Sequence, residues 1–322
     1  MMNTQPLSIW TNVSFPEPAM QLLRDGASGH KLIFARDLST QDALAALREA
    51  DVAFGQPDAA TVMASARLRW AHITSAGYTP YDRDDLKAAL RSRGAIVTNS
   101  SHVYDEPCAQ HALAMMLADA RQLLPAHEAQ RTQRDWNSGG LRAGSYLLNG
   151  QTVLMLGYGA IAQRLAQLLA PFGARIVAVR RHPRGDEEIE IVAENGLESV
   201  LAQADHVVNI LPDNASTRGY MNAQRLGLMK SGARFYNIGR GTTVDQDALV
   251  RVLESGALAL AYLDVTDPEP LPREHPLWTA PNCTITPHTA GGHKGEFERL
   301  VQHFLDNLRL FEQGQPLRGQ VI

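Results

Sequence analysis

Short apolar runs alternate along this chain with stretches whose apolar positions recur at helical spacing. That alternation predicts βαβ units and parallel sheets. A first series of strands is predicted over Leu7–Trp10, Lys31–Phe34, Val52–Phe54, Ala71–Thr74 and Ile96–Thr98, with helices such as Thr40–Glu49 and Asp84–Arg93 between them. A second series begins at Thr152 and runs over Thr152–Leu156, Arg175–Val179, His206–Ile210, Arg234–Ile238, Leu258–Leu263 and Thr284–Thr286. Helices such as Ile161–Phe172 and Gln246–Glu254 intervene.

Three segments depart from this rhythm. Pro107–Arg121 is apolar over most of its surface, as expected of a helix buried on several sides, either a connector between domains or a subunit interface. Phe297–Glu312 is amphipathic and follows the last strand, so it is expected to cross back to the first domain and make that domain discontinuous. Gln122–Gly150 is polar and weakly periodic, with Trp136 near its centre, and reads as a long functional loop or oligomer arm. Trp136 is there a candidate aromatic wall for a neighbouring site, or ordinary interface packing.

Composition narrows the class. The 322 residues are enough for two domains with separate cores. A net charge of -4 weighs against general nucleic-acid binding. Cys108 and Cys283 stand far apart without metal-ligand spacing, so no metal site is expected and two reduced thiols in the cytoplasm are. The stretch Met1–Trp10 lacks the pattern of a leader, and no apolar run approaches the ~20 residues that span a bilayer.

Chemistry enters at Gly157-Tyr158-Gly159-Ala160-Ile161-Ala162, a GxGxxA turn between an apolar strand and an apolar helix. The first glycine allows a tight turn, the second lets the backbone approach a pyrophosphate, and Ala162 lets helix and strand pack closely. The helix N-terminus then faces the phosphates. Enzymes that use NAD usually place an acid at the end of the following strand, about 20 residues on, for the ribose 2′-hydroxyl. Here Val179 is followed by Arg180 and Arg181, and no acid appears before Asp186. Guanidinium groups hold a 2′-phosphate where a carboxylate repels it, so NADP(H) is favoured over NAD(H).

Three polar elements end the later strands: Asn237-Ile238-Gly239-Arg240-Gly241, Asp264 to Pro270, and Thr286 to Gly292. Ligands of doubly wound sheets bind at such carboxyl ends. Arg240 suits the carboxylate and carbonyl of a 2-oxo acid. The unperturbed pKa of a histidine side chain lies near neutrality, so His288 suits a general acid/base. Glu269 suits a partner that orients the imidazole and favours its charged form. Taken singly, each also reads as an ordinary surface or structural residue; the set behind a dinucleotide turn is what points to catalysis.

The chain resembles the D-isomer-specific 2-hydroxyacid dehydrogenase family. The match runs through Leu156 to Ile161, Ala204-Asp205, Leu211-Pro212 with Thr217-Arg218-Gly219, Met229-Lys230, Gly239-Arg240-Gly241, Leu263-Asp264-Val265, Pro268 to Pro272, His275 to Trp278 and Thr286-Pro287-His288. A weaker match covers Thr74 to Tyr78, Val97-Thr98-Asn99 and His111 to Arg121. The resemblance implies an α/β fold of two Rossmann-like domains. These would be a doubly wound parallel-sheet dinucleotide-binding domain over residues 103–289 and a smaller flavodoxin-like substrate domain over 1–102 plus 290–322. It also implies a cofactor cleft between the domains and a homodimer.

For matching positions it implies Arg240, Glu269 and His288 as the catalytic set, and Gly157, Gly159, Ala160, Ile161, Leu211, Pro212, Thr217, Ile238 and Asp264 beside the cofactor. Ser75, Ala76 and Gly77, with Arg240 and His288, would hold the substrate. The departures are Arg180 in place of an acid, Gln110 in place of the usual Glu before His111, and Thr79-Pro80 where an Asp often follows the aromatic. The Ser75–Asp82 loop has no lysine, which weighs against phosphite oxidation, and the chain's end soon after the last helix weighs against the longer phosphoglycerate dehydrogenases. The expected function is hydride transfer between NADP(H) or NAD(H) and C2 of a small D-2-hydroxy acid or 2-oxo acid; glyoxylate or hydroxypyruvate reduction would fit an NADP(H) enzyme. The alternatives are a dinucleotide-sensing, corepressor-like binding protein and a formate or phosphite dehydrogenase.

Overall fold

A computed structural model describes residues 5–322; the first four, part of the stretch read above for a leader, lie outside the described residues. The chain forms two compact units. One runs to Tyr104 and resumes over His293–Ile322; the other is Asp105–Gly292.

The first unit alternates β1 (Ser8–Thr11), α1 (Glu17–Gly26), β2 (Lys31–Phe34), α2 (Thr40–Glu49), β3 (Val52–Gly55), α3 (Ala59–Ala64), β4 (Trp70–Ile73), α4 (Asp84–Arg91) and β5 (Ile96–Thr98). Its five strands are parallel in the order β2-β1-β3-β4-β5, the flavodoxin-like arrangement. Strands β3 and β4 are buried along their whole length, so both faces must be covered, and their sequences are correspondingly apolar. Ser39 and Asp58 start α2 and α3 by accepting backbone amides three residues on, caps worth about 1 kcal/mol each.

The boundary between the units falls inside α5 (Ser101–Ala120). This helix begins six residues before the predicted start, and Pro107 lies within it rather than opening it. The predicted loop after it holds two helices, α6 (Leu123–Thr132) and α7 (Ser138–Gly144). Neither buries a residue, so neither carries the apolar stripe by which helices are recognised.

The second unit continues with β6 (Thr152–Leu156), α8 (Ala160–Leu169), β7 (Arg175–Val179), β8 (Glu190–Val192), α9 (Leu197–Leu201), β9 (His206–Asn209), α10 (Ala223–Gly227), β10 (Ala233–Asn237), α11 (Gln246–Glu254), β11 (Leu258–Leu263) and β12 (Cys283–Ile285). All seven strands are parallel, in the order β12-β11-β10-β9-β6-β7-β8. Numbered within the unit, that is 3-2-1-4-5-6 with a seventh strand beyond, the doubly wound order. Its direction of winding reverses between β6 and β9, so the crevice for a ligand opens at their carboxyl ends.

The last helix, α12 (Glu296–Glu312), belongs to the first unit. Its Phe304 is fully buried and stacks on Phe54 at 4.2 Å and on Trp70 at 5.2 Å between ring centroids. A ring so buried contributes about 1.5–3 kcal/mol, which explains why the chain returns to its first sheet.

Candidate active site

The glycine turn lies at the switch point. Gly157 has φ +94°, a conformation that suits glycine. A side chain at Gly159 would meet nothing within 4 Å, so the backbone there is open to an approaching group. Gly159 caps α8 without a side-chain bond, and Ala160 and Ile161 form its first turn, so the helix start presents backbone N–H groups. The turn thus fits a pyrophosphate. Thr217 is buried, and its hydroxyl donates to the Pro212 carbonyl at 2.6 Å, so it shapes the loop after β9 from within. Leu211 and Pro212 line the same loop, and Ile238 is buried at the end of β10.

Past β7 the two arginines are already engaged. Arg180 pairs with Glu187 at 3.2 Å, and Arg181 donates to the Ser216 hydroxyl at 2.5 Å.

The Arg240 turn is held by buried polar groups. Asn237 and Thr243 both donate to the Arg240 carbonyl, at 3.1 and 2.6 Å, and Asn209 donates to both of their side-chain oxygens. A Cβ on Gly239 would lie 2.7 Å from the Leu211 carbonyl, and one on Gly241 would overlap the Thr266 carbonyl. The glycines beside Arg240 therefore let three strand-end turns touch backbone to backbone. The half-buried Arg240 guanidinium donates to its neighbour's carbonyl, Gly239 O, at 2.7 Å.

Glu269 and His288 meet directly: Nδ1 of His288 lies 2.8 Å from a Glu269 carboxylate oxygen. The other Glu269 oxygen accepts the Thr266 amide at 3.2 Å. Both side chains border a pocket of about 340 Å³ whose walls include Leu271, Trp278 and Ile285. His288 has φ +53°, a left-handed conformation that a side chain adopts only when its surroundings hold it.

Asp264 does much of that holding. It is 2% exposed, and its carboxylate accepts the amides of Thr289 and Ala290, at 2.9 and 3.0 Å, and the Thr286 hydroxyl at 2.5 Å. Behind it runs a directed chain. A carboxylate only accepts, so the Thr286 hydroxyl donates to it and itself accepts from Tyr262 at 2.5 Å. The Tyr262 hydroxyl in turn accepts from Nε2 of His111 on α5. Burial pushes the Tyr262 phenol well above its ordinary pKa, which keeps it a neutral donor.

In the first unit, the Ser75-Ala76-Gly77 loop follows β4. Gln56 donates to the Thr74 and Ser75 hydroxyls at 3.0 and 3.1 Å, Asn99 to the Ala76 carbonyl at 2.7 Å, and the Ser75 hydroxyl to Gly77 O at 2.6 Å. Gln56, Asn209, Thr243 and Tyr262 were not singled out by sequence; they sit at no diagnostic spacing, and Tyr262 reads there only as part of an apolar strand. Among the described residues, no cluster of His, Cys, Asp or Glu is placed to hold a metal ion, and no helix is long and apolar enough to cross a membrane.

Residues 113–290 match the model of the D-isomer specific 2-hydroxyacid dehydrogenase family, NAD binding domain. The chain is 35% identical over 243 residues to the glyoxylate reductase of Aeropyrum pernix, covering 73% of this chain and 71% of that one. It is 34% identical over 261 residues to the glyoxylate reductase/hydroxypyruvate reductase of Homo sapiens, 80% of this chain and 78% of that one. A D-isomer specific 2-hydroxyacid dehydrogenase from Xanthobacter autotrophicus Py2, solved in complex with NADPH and MES, superposes with a TM-score of 0.81 at 27% identity, over 99% of this chain and 98% of that one. With its doubly wound sheet, its glycine turn and these relatives, the chain belongs to the D-isomer specific 2-hydroxyacid dehydrogenase family and is an oxidoreductase that uses a nicotinamide dinucleotide.

Proposed function

We propose that this enzyme reduces a small 2-oxo acid, glyoxylate or hydroxypyruvate, to the 2-hydroxy acid, with NADP(H) preferred to NAD(H). The observation that carries this reading is the His288–Glu269 pair, 2.8 Å apart on a turn fastened by Asp264. The bound dinucleotide supplies the hydride in reduction and accepts it in oxidation. His288 gives a proton to the carbonyl oxygen as the hydride reaches C2, and takes it back in the reverse direction. Glu269 fixes the ring through Nδ1, which leaves Nε2 for the substrate oxygen. Arg240, anchored through one N–H, has further donors for the carboxylate and the carbonyl. Ser75, Ala76 and Gly77, in the first unit, are the further residues proposed to bind substrate.

The NADP(H) preference rests on Arg180 and Arg181 at the end of β7. The relatives named glyoxylate reductase support the choice of substrate. Exposed Leu123, Trp136 and Leu147 support a homodimer that covers the α6–α7 segment. A chain with only two cysteines, Cys108 and Cys283, fits a reducing compartment such as the cytoplasm.

The test is NADPH and NADH oxidation with a panel of 2-oxo acids, with formate and phosphite tried in the oxidative direction. Glyoxylate or hydroxypyruvate with NADPH is expected to give the highest kcat/KM. No turnover with any 2-oxo acid would overturn the reading.

A further inference from the structure

The segment between β7 and β8 folds back on its own arginine. β7 and β8 pair in register, Val179 with Val192, and the Arg180 amide donates to the Val192 carbonyl at 3.1 Å. The chain between them returns Glu187 to the Arg180 guanidinium at 3.2 Å. Glu187 is fixed there from its other side, because its two oxygens accept the amides of Arg184 and Gly185, each at 2.8 Å. The Arg184 amide above all, with that of Gly185 and the charge of Arg180, holds the Glu187 carboxyl below the ordinary carboxylate range against the opposing effect of burial. The side chain of Glu187 is only 6% exposed and that of Arg180 21%, so water screens this pair less than one on an open surface.

Arg181 is placed differently. It is exposed and donates to the Ser216 hydroxyl, which itself donates to the Asn214 side-chain oxygen at 2.6 Å. Serine and arginine there present a cation and a hydroxyl with no carboxylate of their own segment among these bonds. The two neighbouring arginines thus differ in one respect that matters to an anion: Arg180 already has one bound, and Arg181 has a neutral partner.

We propose that Glu187 is a specificity-determining residue: as a built-in counter-ion to Arg180 it competes with the 2′-phosphate of the cofactor, so discrimination between NADP(H) and NAD(H) is carried by Arg181 with Ser216 and is limited by Glu187. This rests on reading the end of β7 as the site of the 2′-phosphate. The reason is electrostatic. A phosphate dianion approaching Arg180 either displaces a carboxylate held by three donors or binds beside it and is repelled.

The test is calorimetric binding of 2′,5′-ADP and of 5′-ADP, which differ only in the 2′-phosphate, and needs no turnover. Glu187→Gln is expected to tighten 2′,5′-ADP five- to tenfold with 5′-ADP changed less than twofold. Arg180→Gln alone is expected to cost less than threefold for 2′,5′-ADP, and to abolish the gain when combined with Glu187→Gln. Arg181→Ala is expected to cost about tenfold for 2′,5′-ADP alone. If Glu187→Gln leaves 2′,5′-ADP unchanged or weakened, or if Arg180→Gln costs as much as Arg181→Ala in the parent protein, Glu187 does not neutralise Arg180 and the proposal is wrong. A parent protein that binds both ligands equally would overturn the NADP(H) preference, whereas a gain in Glu187→Gln would still uphold the counter-ion.

Discussion

The amide of His288 donates to the Asp264 carbonyl at 2.8 Å, while the Asp264 carboxylate takes the next two amides of the same turn. One buried residue therefore fixes both the position of the histidine and its left-handed backbone. The side chain is left free to face its carboxylate partner.

Replacing His288 by alanine removes the proposed proton donor and none of the residues proposed to hold the dinucleotide. Turnover is expected to fall by about 10²–10⁴-fold, with NADPH binding, read by fluorescence titration, unchanged within about twofold. A turnover near that of the parent protein would remove His288 from its role. Glu269→Gln keeps a hydrogen bond to the ring, so it should lower kcat less than His288→Ala does.

Tyr262→Phe breaks the chain from His111 to Asp264 while keeping the ring. It removes the hydroxyl between two partly buried groups, Thr286 and His111, which keep a direct contact at 3.4 Å, so the loss is that of ordinary hydrogen bonds, about 0.5–1.5 kcal/mol. Chemical denaturation should show that loss, and kcat should fall while the KM for NADPH holds. Unchanged kcat at reduced stability would mean that the chain supports the fold and not the turn.

Gly241→Ala would drive a methyl group into the Thr266 backbone. Overpacking of this kind costs about 1–3 kcal/mol. Because the displaced turn carries Arg240, the KM for the 2-oxo acid should rise well beyond the effect on 5′-ADP affinity. A variant with parent kinetics and stability would show that the close approach is dispensable.

Acid should weaken the fold before its carboxylates titrate. Burial above all lowers His206 to about 4, and burial likewise lowers His72 and His303. Unfolded histidine titrates near 6.5, so between these values the unfolded chain binds more protons and stability falls as pH falls. The contribution of His206 is whole above about pH 6.5 and lost by about pH 4, an effect on the order of 3 kcal/mol at most. Urea midpoints measured from pH 7.5 to 4 should fall across that window, and fall less steeply in His206→Gln. A slope unaltered by the substitution would exclude His206 as a source.

The strands of both sheets were legible because parallel strands buried on both faces are near-continuous apolar runs, as in β3, β6 and β9. β8 escaped because it has three residues, none fully buried, beside a charged loop. The helices after Gln122 escaped because they bury nothing. In the candidate site, Arg240, Glu269 and His288 were legible as polar side chains at strand ends, and of these Glu269 and His288 meet directly. What supports them was not: Asn209, Asn237 and Thr243 come together across β9, β10 and the following turn, and His111 meets Tyr262 across 151 positions of sequence. No local spacing encodes such meetings. Arg180 and Arg181 read alike in sequence, and only Glu187 and Ser216 tell them apart.

The backbone contacts at Gly239 and Gly241 weld three strand-end turns into one block, with no room for side-chain variation at the weld. The Ser75–Gly77 loop is secured differently, by side chains from Gln56 and Asn99 that grip its start, while Thr79 and Pro80 beyond it are exposed. Any search for a new activity therefore has one block to leave alone: libraries over residues 239–241 should yield mostly inactive protein, whereas changes confined to the exposed Thr79 and Pro80 should leave the fold intact.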